Sequence, residues 1–250
     1  MIKIATAECF TQGKIGRELH ALAQNYEGNF GRDYIENPCE YGDFDYNKLS
    51  VTCSLFIPTI EAVKKILKID NPPKPDTLIK GIKVYDEEGD KKVSKLMAKA
   101  VRDLSDCDIA IGTTAGVGRG AITIITKEYE ITTTTNVYAD LNELKSDDLY
   151  NRSYSGIIKT LEIVLLLLND NIDKIKTLET KNTKNQEISN TTLQKTSSSY
   201  EYVALESKIK LLESQIASME EENRDRNATI NAFLKEMNEM LQVHEQKRKK

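Results

Sequence analysis

The sequence predicts an α/β fold: a layered sheet of mixed strand directions with helices on both faces, followed by a C-terminal coiled-coil helix. Short apolar runs alternate with segments whose apolar residues recur every three or four positions, as strands and amphipathic helices do. The composition turns sharply polar near residue 165, which marks the end of the globular domain. From residue 205 onward a heptad repeat indicates the coiled coil.

The elements of the domain can be placed from these patterns. The run at 2–7 predicts a buried first strand, and Ile15, Leu19 and Leu22 form the apolar face of the helix after it. Pro58 suits the first turn of a further helix, because a missing N–H costs nothing there. The remaining predictions are strands at 51–57 and 79–85, a buried strand, a glycine-rich loop and a further strand within 107–124, an edge strand within 127–135, and helices at 90–104 and 153–168.

Composition narrows the functional classes. A net charge of −4 gives no general case for nucleic-acid binding, and the longest apolar run, 163–168, is far shorter than the roughly 20 residues of a membrane span. The cysteines at 9, 39, 53 and 107 lack the spacing of a metal site or a disulfide framework, and we see no signal-peptide pattern. We therefore expect a cytoplasmic protein with no metal site, no membrane partner and no nucleic-acid partner.

Cys9 lies between the first strand and the first helix, in the segment ATAECFTQGKIG at 5–16. Loops of this kind point residues and N–H groups into a crevice at the carboxyl end of a sheet, and a helix N-terminus favours negative charge. Such a setting activates a thiol. The alternative is that Cys9 is a small buried hydrophobe, as most free cysteines are, and the residues alone leave both interpretations open.

A glycine-rich loop at 112–120 follows a predicted buried strand, in the segment CDIAIGTTAGVGRGA at 107–121. Glycines allow N–H groups to turn inward around an anion, hydroxyls add donors, and an arginine fork suits phosphate or carboxylate. The alternative is a tight connection between strands that binds nothing. The candidate ligand-binding residues of the two loops are Glu8, Thr11, Gly13, Lys14, Thr113, Thr114, Gly116, Gly118, Arg119 and Gly120.

Beyond the domain the sequence predicts a flexible polar linker at 166–199, a coiled coil at 200–246 and a solvated basic tail at 247–250. Asn223 occupies a core position of the heptads, where a polar side chain fixes register. The pattern favours a homo-oligomer, specifically a parallel dimer through 200–246. Asp140, further upstream, could orient a sugar hydroxyl or cap a helix, and we favour the cap.

Both loop segments closely resemble a small family of methanogen proteins that takes part in biosynthesis of the iron-guanylylpyridinol (FeGP) cofactor of Fe-hydrogenase. The resemblance covers about residues 1–165, including 54–58 and 95–98 between the loops. It implies that Cys9 forms a thioester with a pyridinol carboxylate after a partner enzyme has adenylylated that carboxylate. It also implies a guanylylpyridinol-type nucleotide as substrate, with no tightly bound cofactor.

A more distant resemblance links the chain to nicotinamide-nucleotide amidohydrolases of the competence-damage-inducible type. Their AESCTGG motif aligns with AECFTQG at 7–13 and places Cys9 at the position of the amidohydrolase serine. Gln12 replaces a glycine and Arg119 falls near a proline position, and both departures argue against simple amide hydrolysis. Three functions therefore stay open: an acyl-accepting biosynthetic protein, a nucleotide amidohydrolase, and a non-catalytic nucleotide-binding scaffold.

Overall fold

The computed structural model describes residues 1–26, 28, 44–143 and 145–175. The predicted coiled coil, the basic tail and most of the predicted linker lie outside the described residues. The elements are β1 (Ile2–Glu8), α1 (Lys14–Ala23), β2 (Leu49–Phe56), α2 (Ile60–Lys65), β3 (Thr77–Ile79), β4 (Ile82–Val84), α3 (Glu87–Ser105), β5 (Ile109–Thr114), β6 (Val117–Gly118), β7 (Ala121–Ile125), β8 (Glu130–Thr134), β9 (Ala139–Asp140) and α4 (Ser146–Leu168).

A five-stranded sheet with the order β2-β1-β5-β7-β8 organises the domain. The first three of these strands are parallel, and β7 and β8 continue the sheet in antiparallel pairs. The predicted mixed sheet is confirmed, and β8 is the edge strand that the threonine-rich segment indicated.

Apolar residues on both sides of the sheet form two separate cores. Ile4 and Ile111 face one core with residues of α1 and α4, whereas Ala5 and Ala110 face a second core with residues of α2 and α3. Alternate strand residues point to opposite faces, so a sheet buried on both sides needs apolar residues at nearly every position. Helices therefore cover both faces, as predicted.

Small residues let α3 lie directly on the sheet. A Cβ on Gly112 of β5 would collide with the backbone of Ser94 and Ala98 in α3. The close approach holds the N-terminal turn of α3 near the carboxyl end of β5. No helix in the described part of the chain has the length and apolar character that a membrane crossing needs.

Several predicted boundaries were wrong, and local hydrogen bonds explain two of them. The helix predicted at 90–104 begins at Glu87, because Asp86 is its N-cap and accepts a hydrogen bond from Gly89 N–H at 2.7 Å. Pro58 precedes α2 instead of lying in its first turn, since Thr59 is the N-cap there and accepts from Ala62 N–H at 3.2 Å.

Two further corrections concern longer segments. The predicted strand at 79–85 is a hairpin of β3 and β4, because Lys80 and Gly81 both adopt positive φ (51° and 83°) and reverse the chain. The closing helix α4 begins at Ser146, not at 153. Asp140 lies in β9 and binds Asn142, so it caps a turn and not a helix.

Candidate functional site

β1 and β5 are neighbouring parallel strands, and the chain continues from them toward opposite sides of the sheet. The chain leaves β1 through α1 toward β2 on one side, while β5 lies on the other side. In open α/β sheets such a point forms a ligand crevice outside the carboxyl ends of the strands. The Cys9 N–H donates to the Thr113 carbonyl at 2.9 Å and lies 3.3 Å from Thr113 Oγ1. The two predicted loops therefore meet at the carboxyl ends of β1 and β5, where the rule places a ligand crevice.

Glu8 is fully buried, and although it precedes α1 in the chain, its carboxylate accepts hydrogen bonds from N–H groups in the first turn of that helix. Its two carboxylate oxygens accept hydrogen bonds from Ile15 N–H (3.1 Å), Gly16 N–H (2.9 Å), Thr6 Oγ1 (2.9 Å) and Thr11 Oγ1 (2.7 Å). Burial raises the pKa of Glu8, and these hydrogen bonds oppose that shift. All four described contacts are internal, so Glu8 shapes the loop and anchors the N-terminus of α1.

The loop after Glu8 makes a turn that leaves backbone donors available. Gln12 N–H donates to the Cys9 carbonyl at 3.2 Å, and Lys14 N–H donates to the Thr11 carbonyl at 3.0 Å. Among the described residues, nothing accepts from the N–H groups of Phe10, Thr11 and Gly13. These amides directly follow the Cys9 thiol in the chain and are candidate oxyanion donors.

Phe10 fixes this turn between the second loop and α4. A Cβ on Gly156 would lie 2.6 Å from the Phe10 ring, and one on Gly120 would lie 3.5 Å from it. Gly120 also has a positive φ of 71°. Gly156 therefore makes room for Phe10, which couples the position of Cys9 to the packing of α4.

Arg119 is held by a resident carboxylate. Its Nε donates to Glu87 Oε2 at 2.9 Å and its Nη2 donates to Glu87 Oε1 at 2.7 Å, while its own N–H approaches Oε2 at 3.3 Å. The hydrogen bond from Arg119 lowers the pKa of Glu87, and the same pair raises the pKa of Arg119. The Arg119 guanidinium, which the sequence predicts to bind a ligand anion, therefore already binds the Glu87 carboxylate of α3.

Both backbone polar groups of Gly116 are hydrogen-bonded to buried charged side chains. Its N–H donates to Asp90 Oδ2 at 2.7 Å, and its carbonyl accepts from Arg152 Nη1 at 3.0 Å. The same Arg152 nitrogen binds the carbonyls of Gly118 (2.8 Å) and Ala139 (2.7 Å). The predicted N–H cradle is thus engaged internally at Gly116.

Asp90 and Arg152 are both buried charges beside the crevice. Burial raises the pKa of Asp90 to about 7 against the opposing effects of Gly116 N–H and Arg152. Burial lowers the pKa of Arg152, while negative charge on Asp90 and Cys9 favours its charged form. Tyr85 also interacts with both Asp90 and Cys9, and burial is the main cause that raises its pKa to about 12.

Cys9 differs in its surroundings from the other described cysteines. Its side chain is 6% exposed and lies in the electrostatic range of Arg152 and Tyr85. Burial raises the pKa of Cys53 and of Cys107, which disfavours the thiolate at both positions. Cys39 lies outside the described residues. Only Cys9 among the described cysteines adjoins both candidate loops.

The other predicted ligand residues have varied environments. Thr113 and Thr114 are fully buried, and Thr113 Oγ1 lies 2.8 Å from Thr11 Oγ1. Lys14 is half-buried at the start of α1. Gly13 has a positive φ of 78° with open space where a Cβ would lie, which fits a turn that a ligand could approach.

Asp90, Arg152, Glu87 and Tyr85 were not identified from the sequence as site residues. The acidic run at 86–90 is a recognisable helix-start signal, but nothing in the sequence shows that Asp90 turns inward. Arg152 was missed because the predicted helix began one residue after it.

Among the described residues, neither a cluster of metal ligands nor the 980 Å³ cavity coincides with the meeting point of the two loops. In the described ranges no three His, Cys, Asp or Glu side chains form a cluster that could hold a metal ion. A cavity of about 980 Å³ lies at the opposite edge of the sheet, lined by residues such as Lys3, Arg102 and Cys107. It contains no residue of either candidate loop.

Comparison with known proteins assigns the domain. Residues 1–168 match the family described as FeGP cofactor biosynthesis protein HcgF. A UPF0254 protein of Methanopyrus kandleri is 41% identical over 177 residues, covering 70% of this chain and 92% of the relative. A UPF0254 protein of Methanothermobacter thermautotrophicus strain Winter is 40% identical over 174 residues, covering 70% and 100%.

The solved structures that match the chain are more distant. A competence or damage-inducible protein from Enterobacter asburiae matches with a TM-score of 0.40 at 20% identity, covering 67% of this chain and 87% of that one. A competence-damaged (CinA) superfamily protein from Escherichia coli matches with a TM-score of 0.38 at 17% identity, covering 65% and 80%. Likeness at this level carries no functional conclusion. The match to the family over residues 1–168 and the identity to the methanogen relatives do assign the family. The chain belongs to the HcgF family of FeGP cofactor biosynthesis proteins.

Proposed function

We propose that this protein accepts the activated carboxylate of a guanylylpyridinol-type nucleotide as a thioester on Cys9. The observation that carries the proposal is the position of Cys9: it follows β1 at the strand-order reversal, with its N–H bound to Thr113 of β5. Ligands of open α/β sheets bind at this point, and a thiol there meets an incoming acyl group.

The chemistry requires little from the protein beyond presentation of the sulfur. The Cys9 sulfur loses its proton and attacks the carbonyl carbon of an acyl-adenylate, a C–S bond forms, and the bond to the adenylate oxygen breaks. AMP leaves with the electron pair, so no metal or redox partner takes part. The N–H groups of Phe10, Thr11 and Gly13 are available as donors to the oxyanion that develops in this step.

Charge near the sulfur supports the same assignment. Arg152 interacts electrostatically with Cys9, and a buried cation stabilises negative charge that develops in a transition state beside it. Its side chain is fixed by three carbonyl acceptors, so the charge is held in place before the substrate arrives.

The nucleotide part of the substrate is proposed to lie against the second loop. Asp90 already binds the Gly116 N–H, so the cationic donors Arg119 and the half-buried Lys14 are assigned to the phosphate. Arg119 must exchange Glu87 for the phosphate when the nucleotide binds. The adenylylating enzyme that supplies the substrate, and a dimer through 200–246, belong to the same proposal.

Intact-protein mass spectrometry tests this function. The full chain is incubated with the acyl-adenylate of a guanylylpyridinol carboxylate, and an adduct with the acyl mass is expected, removable by neutral hydroxylamine as thioesters are. Cys9→Ala should abolish the adduct. Cys53→Ala is the matched control, since it removes a partly exposed thiol and should leave the adduct unchanged.

Two results would contradict the proposal. One is an unmodified wild-type chain after complete consumption of the acyl-adenylate. The other is release of ammonia from nicotinamide mononucleotide, which would favour an amidohydrolase. Full cofactor production in cells that carry Cys9→Ser, with nucleotide binding retained, would instead favour a non-catalytic scaffold.

A further inference from the structure

Asp90 combines a buried carboxylate with one oxygen that has no hydrogen bond. Asp90 is fully buried in the first turn of α3, and its Oδ2 binds the Gly116 N–H at 2.7 Å. Its Oδ1 has no hydrogen-bond partner in the described part of the chain. Buried polar atoms are nearly always paired, so an unpaired carboxylate oxygen beside a reactive group needs a functional explanation.

Other unpaired polar atoms surround the same point. Thr114 Oγ1 and Arg152 Nε are also buried and lack hydrogen-bond partners among the described residues. The Thr114 hydroxyl lies close enough to favour the charged form of Asp90, although the two side chains fall outside hydrogen-bonding geometry. Three elements, α3, β5 and α4, therefore direct polar atoms into one buried space at the carboxyl edge of the sheet.

The end of β1 brings Cys9 to this space. Ala5 and Ala7 of β1 face the core that contains α3, and Cys9 comes directly after the last residue of the strand. The Cys9 N–H binds the Thr113 carbonyl at 2.9 Å, and Asp90 binds Gly116, three residues further along the same loop, at 2.7 Å. Tyr85, one residue before the N-cap of α3, interacts electrostatically with both Cys9 and Asp90. Cys9 and Asp90 thus adjoin the same loop at the carboxyl edge of the sheet.

We propose that Asp90 accepts the proton that Cys9 loses when it is acylated. The inference rests on the proposed thioester function and adds a proton acceptor to it. The S–H bond breaks, the proton moves to Asp90 Oδ1, the sulfur electron pair forms the C–S bond, and AMP leaves as an anion. Asp90 then returns the proton to solvent when AMP departs.

The charges around Asp90 suit this task. Burial brings its pKa to about 7, close to the pH at which a proton acceptor is most effective. Lys83 of β4 and Arg152 of α4 oppose that rise. Tyr85 and Cys9 also border this space, and Asp76 interacts with Tyr85 while Tyr138 and Asp140 interact with Arg152. The two cations keep a useful fraction of Asp90 ionised near neutral pH.

Single-turnover acylation across a pH series tests the inference in the full chain. With a guanylylpyridinol acyl-adenylate, the wild-type rate should rise through an inflection near the Asp90 pKa of about 7. Asp90→Asn should lose that inflection and acylate Cys9 about 100-fold more slowly at neutral pH. Asp90→Glu should recover at least about 10-fold of the loss together with a pH inflection.

Asparagine separates the proton role from the structural one. Its side-chain oxygen still accepts from Gly116 N–H, so a merely structural Asp90 predicts a normal rate for Asp90→Asn and a defect only for Asp90→Ala. Alkylation of Cys9 by iodoacetamide well above neutral pH should proceed at a similar rate in wild type and Asp90→Asn, which shows that the thiol is intact and accessible. Glu88→Gln, an exposed change in the same helical turn, is the matched control.

If Asp90→Asn does not fold, Thr114→Val provides a second test. It removes the hydroxyl that favours ionised Asp90, so the acylation inflection should move to higher pH. An unchanged rate and inflection in Asp90→Asn, or an unmoved inflection in Thr114→Val, would overturn the inference alone. Absence of any Cys9 adduct on the wild-type chain at every pH would overturn the proposed function, and the inference with it.

Discussion

Replacement of Glu8 by alanine should destabilise the fold by about 4 kcal/mol. The change removes the acceptor of two buried amides, Ile15 N–H and Gly16 N–H, at the start of α1. Each buried donor left without a partner costs about 1–3 kcal/mol, so two give a central value near 4 kcal/mol. The threonine hydroxyls that also bind Glu8 add little, because Thr11 keeps Thr113 and Thr6 keeps Ser54 as partners.

Urea unfolding of the full chain measures this cost. The protein has no tryptophan but 11 tyrosines, so tyrosine fluorescence and far-UV circular dichroism are the suitable signals. With a slope of about 2 kcal/mol per M, the Glu8→Ala midpoint should fall by about 2 M.

Glu8→Gln is the matched variant. It keeps the shape and one acceptor oxygen but points an NH₂ group at a helix amide, so its cost should be smaller, about 1–3 kcal/mol. A Glu8→Ala midpoint within about 0.5 M of wild type would refute the capping role. Glu8 would then be free for the ligand contact that the sequence suggested.

Three further changes have defined outcomes. Gly116→Ala places a Cβ against the Tyr85 backbone and should cost about 3 kcal/mol in urea unfolding, with slower acylation of Cys9. Glu87→Gln weakens the resident partner of Arg119, so calorimetry should show several-fold tighter binding of a guanosine nucleotide, roughly 3–10-fold; unchanged affinity would place the phosphate elsewhere. The pKa of Asp90 is raised from 3.8 to about 7 in the folded protein. Its contribution to folding stability is therefore complete below pH 3.8 and is lost as the pH rises to about 7. Relative to Asp90→Asn, the free energy of unfolding of the wild type should fall by about 4 kcal/mol across that window.

Local sequence signals were sufficient for the placement of Cys9. The apolar run of β1, the glycine after the cysteine and the periodicity of α1 all lie within residues 2–23 and depend on neighbouring residues only. The same is true of the glycine-rich connection between β5 and β7. Parallel pairing of β1 with β5 then brings the two loops together.

The partners of the charged residues could not be predicted in this way. Glu87 is 32 residues from Arg119, and Arg152 is 36 residues from Gly116, so both contacts depend on how α3 and α4 pack on the sheet. The sequence does not show that the Arg119 guanidinium is already paired, because its partner, the Glu87 carboxylate, comes from α3. The predicted start of α3 was wrong for a local reason, since Asp86 is its N-cap.

The thioester on Cys9 is tested most directly by the stoichiometry of one turnover. Wild-type protein is mixed with a guanylylpyridinol acyl-adenylate, and released AMP is quantified beside the Cys9 peptide adduct at each time point. Equal amounts of AMP and Cys9 thioester, rising together and absent in Cys9→Ala, are the predicted result. AMP release without an adduct, or an adduct on another residue, would contradict Cys9 as the acyl acceptor.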